Sequence, residues 1–123
     1  MNGKHAATLE SLFDCWTRFD LDGALELMAE NVVFEPDLKG TRHDGVEALR
    51  TLWGKYMTVM TSYDCRIVAV LESDDMAMLE RKELAVTAAG ALHLPIMAVF
   101  RFDPAGKITH WRDYWDSTMV PSH

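Results

Sequence analysis

The chain has 123 residues, 49% of them hydrophobic, with four Trp, three Tyr, five Phe and a formal net charge of −7. That length holds one domain with one core or one enclosed pocket, so residues 1–123 are read as a single domain. The twelve basic residues are scattered, which argues against a nucleic acid or an anionic membrane surface as partner.

The first stretch, MNGKHAATLESLF, has no apolar run of the kind a signal peptide carries, and the expectation is a cytoplasmic protein. Leu9, Leu12, Phe13, Trp16 and Phe19 recur at three- and four-residue spacing and predict an amphipathic helix over about residues 7–19. After the turn DLDG, Asp22 is the expected N-cap of a short second helix with Leu25 and Met28 on its apolar side. The β-branched and aromatic run over residues 31–35 reads as a first strand, which Pro36 ends or confines to an edge. Asp44 with Glu47 forms a capping-box-like start, and Val46, Leu49, Trp53, Met57 and Met60 make the stripe of a third helix.

From Tyr63 on the hydrophobic period is two, giving strands over 63–72, 76–86, 91–102 and 108–116 with turns at ESDD, TAAG and DPAGK. The long uncharged run from Leu84 to Phe100 is interrupted by Gly90, His93 and Pro95. It falls short of the ~20 apolar residues that span a bilayer, so it reads as strand, turn and strand. Three helices followed by a meander describe an α+β domain in which a curved antiparallel or mixed sheet wraps around helices as a cone with an internal pocket.

The last strand, ITHWRDYWD, places one carboxylate, Asp113, between Trp111 and Trp115 on one face, with Arg112, Tyr114 and Asp116 on the other. A carboxylate walled by indoles is poorly solvated and must be paired, protonated or put to use. Candidate partners lie in MAMLERKELA, where Arg81 and Glu83 share a face with Leu79 and Ala85. The opposite face, Met78, Glu80, Lys82 and Leu84, is equally mixed, so alternation leaves both registers open.

The segments LERKELA and LPIMAVFRFDPAGKITHWRDYWD resemble the limonene-1,2-epoxide hydrolase branch of the SnoaL-like and nuclear-transport-factor-two-like superfamily. The resemblance implies a cystatin-like α+β roll, a homodimer formed through the outer face of the sheet, and a cofactor-independent hydrolase that uses no metal. It assigns Asp113 as the base acting on water, Arg81 as the bridge and Glu83 as the acid that protonates the epoxide oxygen. Opening an epoxide with water needs a base on one side and an acid on the other, so this logic stands on chemistry as well. With one proton shared by the two acids the trio is neutral, which makes burial tolerable. By the same resemblance Tyr56, Met60, Leu94, Ile96, Ala98, Trp111 and Trp115 line the substrate wall together with Phe34, implying a small apolar ligand.

The chain departs from that pattern in two ways. The tyrosine and asparagine that hold the attacking water are matched by Phe34 and Pro36, whose side chains cannot bond water. Glu83 stands where aspartate is usual, one methylene longer.

Two rival readings remain. Glu35 falls where isomerases or polyketide cyclases of this superfamily keep a base that moves a proton beside a carbonyl. Its oxyanion donors would sit at Leu12 and at Met97 or Ala98, which are apolar. A non-catalytic ligand-binding domain is the third reading. His5, His43, His93, His110 and His123 show no ligand spacing, Cys15 and Cys65 read as reduced core thiols, and no nucleophile elbow or phosphate loop occurs.

Overall fold

The computed structural model describes residues 3–120, so His123 lies outside the described residues. Helix α1 spans Lys4–Thr17 and buries Leu9, Leu12, Phe13, Cys15 and Trp16. It starts earlier than its apolar stripe because the carboxylate of Glu72, far along the chain, accepts from the backbone N–H of Ala6 at 3.0 Å and of His5 at 3.4 Å. This carboxylate satisfies donors that an uncapped helix end leaves orphaned and sits at the favourable end of the helix dipole. The helix ends two residues before Phe19, which takes the left-handed conformation at φ 58°.

Helix α2, Leu21–Glu26, is capped by Asp20 and not by Asp22: the Asp20 carboxylate accepts from the Gly23 N–H at 2.9 Å. A β-carbon at Gly23 would stand 2.4 Å from that carboxylate, so the cap requires glycine there. Asp22 is left exposed and pairs with Arg50 at 2.8 Å. Helix α3, Val46–Val59, likewise begins without the expected Asp44 cap. Gly45 occupies the cap position at φ 90°, a conformation glycine adopts without strain, and its N–H bonds the Val32 carbonyl at 2.7 Å. Asp44 pairs instead with Arg42 at 3.0 Å.

Strands β1 (Met28–Glu35), β2 (His43–Asp44), β3 (Met60–Glu72), β4 (Met76–Thr87), β5 (Gly90–Phe102) and β6 (Ile108–Tyr114) form one sheet in the order β2-β1-β6-β5-β4-β3. The expected meander is β3 to β6, all antiparallel. β1 adds parallel to β6, with an irregularity between Met28 and Val33 that explains why its first half escaped the period-two reading. Met60 opens β3 and is no part of the third helix.

β5 pairs with β6 only up to Met97↔Tyr114, while its pairing with β4 continues to Thr87↔Gly90. Pro95 lies in this overhang, where one side of β5 has no neighbour to miss its N–H. The overhanging ends of β4 and β5 form the open rim of a curved, unclosed sheet. Its inner face packs α1 and α3 against Phe34, Leu79, Phe100, Ile108 and Trp111 in one core. Among the described residues, no helix is long and apolar enough to cross a membrane.

Candidate active site

Alternation along β4 points Leu79 and Arg81 inward and leaves Glu80 and Lys82 exposed, which resolves the register that the sequence left open. Arg81 is 1% exposed. It reaches across β5: Nη1 donates to Asp113 Oδ1 at 3.0 Å, Nη2 to Asp113 Oδ2 at 2.9 Å, and Nε to Glu83 Oε2 at 2.9 Å. The fork geometry of guanidinium suits this double engagement, which an ammonium could not make. Its Cζ also lies 4.9 Å from the centroid of the Phe13 ring and 5.7 Å from that of Trp111.

Ala98 pairs in register with Leu79 on one side and Asp113 on the other, directly beneath this crossing. Its small side chain leaves the guanidinium room to pass. It is therefore buried in the core and does not line the cavity as the sequence had suggested.

Two donors complete the constellation, neither assigned that role from sequence. Trp111 Nε1 donates to Asp113 Oδ1 at 2.7 Å, and the Tyr63 hydroxyl donates to Glu83 Oε2 at 2.6 Å. Each carboxylate is thus left with one less engaged oxygen. Asp113 Oδ2 has a single donor, and Glu83 Oε1 has none among the described residues. Those are the oxygens with hydrogen-bonding capacity to spare. Tyr63 begins the inward register of β3, and an inward hydroxyl on a strand facing Glu83 was the available signal for it.

Burial pushes the Asp113 carboxyl above its ordinary value, although Arg81 pulls the other way. Burial also opposes the charge on Arg81, but Asp113 and Glu83 outweigh it and the guanidinium stays protonated. The Tyr63 phenol is raised well above its usual value by burial and by Glu83, so it remains a donor. Burial lifts Cys65 to about 12, which keeps it a thiol and removes it as a nucleophile.

The raised Asp113 value has a consequence for stability. The folded chain holds this proton to higher pH than the unfolded chain does, so the stabilisation is complete below the ordinary carboxylate value and is lost as pH rises through the shifted one. Wild type should therefore lose stability relative to Asp113→Asn over the window just above the ordinary carboxylate range, as read from urea midpoints at successive pH values.

The trio forms one wall of a cavity of about 280 Å³. Of the expected lining, Phe34, Tyr56, Met60, Leu94, Ile96, Trp111 and Trp115 are in place. Trp115 lies just past the end of β6, where its Nε1 donates to the Pro36 carbonyl at 2.6 Å. Trp16, Trp53, Ala85 and Leu92 also line the cavity and were not foreseen as lining. On helix stripes and strand faces, core and cavity wall look the same.

Glu35 lies between two cavity residues, Phe34 and Pro36, and points the other way. It pairs with Arg112 at 2.6 Å on the outer face of the sheet. Met97 is also exposed on that face, and Leu12 is fully buried. The reading of Glu35 as a base in the cavity is therefore overturned by strand alternation. Among the described residues, no group of three His, Cys, Asp or Glu could hold a metal ion.

The family model for SnoaL-like domains matches residues 9–111. No curated protein matches the chain. Among solved structures, a limonene-epoxide-hydrolase-like epoxide hydrolase from Mycobacterium tuberculosis is 20% identical, with a TM-score of 0.83 over 94% of this chain and 84% of that one. SalBIII, an epoxide hydrolase/cyclase-like enzyme of pyran ring formation in the polyether salinomycin, is 18% identical, with a TM-score of 0.82 over 94% and 92%. A protein of ketosteroid isomerase-like fold from Catenulispora acidiphila, in complex with trimethylamine, is 16% identical, with a TM-score of 0.81 over 92% and 88%. At these identities the likeness is one of fold.

Proposed function

This chain belongs to the SnoaL-like domain family, and from that premise we propose that it is a cofactor-independent epoxide hydrolase that adds water to a small epoxide to give a vicinal diol. One observation carries the reading: a buried carboxylate, Asp113, and a partly buried one, Glu83, are clasped by a single buried arginine, each with an oxygen to spare, and form one wall of an otherwise largely apolar cavity. Asp113 Oδ2 takes a proton from water, the water oxygen attacks an epoxide carbon, and the C–O bond breaks as Glu83 Oε1 gives its proton to the departing oxygen. Arg81 holds both carboxylates in register across β5. The raised basicity of Asp113 serves its part, because a base works best when its affinity for the proton approaches the operating pH. The first strand offers Phe34 and Pro36 to the cavity, so the water is oriented from the triad side.

The experiment is to incubate the protein with cyclic epoxides in ¹⁸O-labelled water and look for one label per diol. A panel that yields no labelled diol from any epoxide would sink the reading.

Tyr63 acts in this scheme as a positioning residue, donating to Glu83 Oε2 so that Oε1 stays free. Tyr63→Phe keeps the ring and removes the hydroxyl. It should lower kcat by about tenfold while leaving KM unchanged, the loss expected for one hydrogen bond. Unchanged kcat would assign the hydroxyl to packing alone.

We also propose a homodimer through the outer sheet face, where Leu71, Met78, Met97 and Tyr114 are exposed together across neighbouring strands. Sedimentation velocity of wild type and Met97→Glu tests it, with a shift to monomer expected in the variant.

A further inference from the structure

Among the described residues, two indoles in the cavity wall have no hydrogen-bond partner. Trp16 on α1 and Trp53 on α3 line the cavity, and the Nε1 of each is buried and unengaged there. The other two wall indoles are engaged, Trp111 with Asp113 and Trp115 with the Pro36 carbonyl. Trp16 is 6% exposed and Trp53 0%, so bulk water does not satisfy them. A buried donor without a partner is uncommon and costly, and phenylalanine would give much of the same packing without that cost.

Ring contacts place the two indole rings relative to the carboxylates. Trp16 is 5.8 Å, centroid to centroid, from Tyr63, whose hydroxyl bonds Glu83. Trp53 is 5.6 Å from Trp111, whose N–H bonds Asp113. Each free indole therefore stands one aromatic ring away from a carboxylate, and the two indoles touch each other with centroids 5.3 Å apart.

We propose that the ligand of this cavity carries a second oxygen acceptor, set about one six-membered ring from the reacting oxygen, and that Trp16 and Trp53 turn their N–H edges to donate to it. The identity of the reacting oxygen rests on the epoxide hydrolase reading. The second acceptor refines the substrate class from a hydrocarbon epoxide to an oxygenated one, such as an epoxide bearing a ketone, ether or ester. Apolar walls then give affinity, the triad holds one oxygen and the indole pair reads the other, as in pockets where a few placed polar groups fix orientation.

The test uses the indole N–H signals of ¹⁵N-labelled protein and a matched pair of epoxide-free probes, 1,4-cyclohexanedione and 4-methylenecyclohexanone. The two differ by one acceptor placed across one ring. The dione should shift the assigned Trp16 and Trp53 signals downfield and bind about tenfold tighter than the mono-ketone, the increment of one buried hydrogen bond. In Trp16→Phe or Trp53→Phe that preference should shrink. If a variant does not fold, the wild-type spectra still decide. Trp16 and Trp53 signals that stay in place while Trp111 reports occupancy would overturn the inference, as would a failure of both probes to bind. Because neither probe carries an epoxide, the result is independent of turnover: shifted indoles without any diol would fault the reaction, and diol formation with unmoved indoles would fault only the second acceptor.

Discussion

Asp113→Asn should make no measurable diol and still fold. Asparagine keeps nearly the volume of aspartate, but its amide nitrogen cannot accept a proton from water, and one of its two contacts with Arg81 becomes donor facing donor. Removal of a general base costs about 10²- to 10⁴-fold in rate. Further loss follows from the broken fork, because Arg81 no longer fixes the distance between the two acids. The fold survives because of the charge count. With all three groups ionised the trio carries two negative charges and one positive, so taking one carboxylate away leaves Arg81 and Glu83 as a neutral pair at 2.9 Å. Label incorporation gives the rate and a urea titration gives the stability. A variant that retains turnover within tenfold of wild type removes Asp113 as the base, and one that unfolds shows that the trio is structural first.

Asp113 was legible because alternation is rigid. Once the last strand is recognised, Trp111 and Asp113 must share a face, and a carboxylate beside an indole demands a partner. The partner was less legible, since Glu80 with Lys82 and Arg81 with Glu83 are equally charged pairs. Only the pairing of β4 through β5 to β6 puts Arg81 beside Asp113, and a one-residue slip would have sent it to solvent. Resemblance, not periodicity, made that choice. Caps escaped for a different reason. Glu72 caps α1 from 66 residues away, and Gly45 starts α3 through its own backbone conformation and a bond to Val32, neither of which leaves a local side-chain pattern. The parallel joining of β1 to β6 is also a long-range event. Trp16 and Trp53 were visible as helix stripe residues, yet whether a stripe meets another side chain or an empty space is decided only when the layers close.

Arg81→Met is the change with the largest expected effect on stability. It leaves Asp113 and Glu83 facing each other beneath the helices without the cation that both engage. Breaking a buried ion pair from one side costs about 3–5 kcal/mol, because the remaining charge has lost its partner and has not regained water. Here the buried Asp113 carboxylate remains without its cation, so the destabilisation should ease as acid neutralises it, and the variant's urea midpoint should approach that of wild type toward low pH. Arg81→Lys should rescue it only in part, since a compact ammonium cannot replace three directed bonds to two carboxylates. The combined variant Arg81→Met, Glu83→Gln and Asp113→Asn separates stability from chemistry. Replacing a buried ionic trio by well-packed hydrophobic groups of similar volume is often neutral in stability or better, and the two amides used here keep acceptors for the Tyr63 hydroxyl and the Trp111 N–H. This triple variant should therefore be more stable than Arg81→Met alone and equally inactive. Were it as far below wild type as Arg81→Met, the three charges together would be holding the sheet, and their place in the cavity wall would need no catalytic reason.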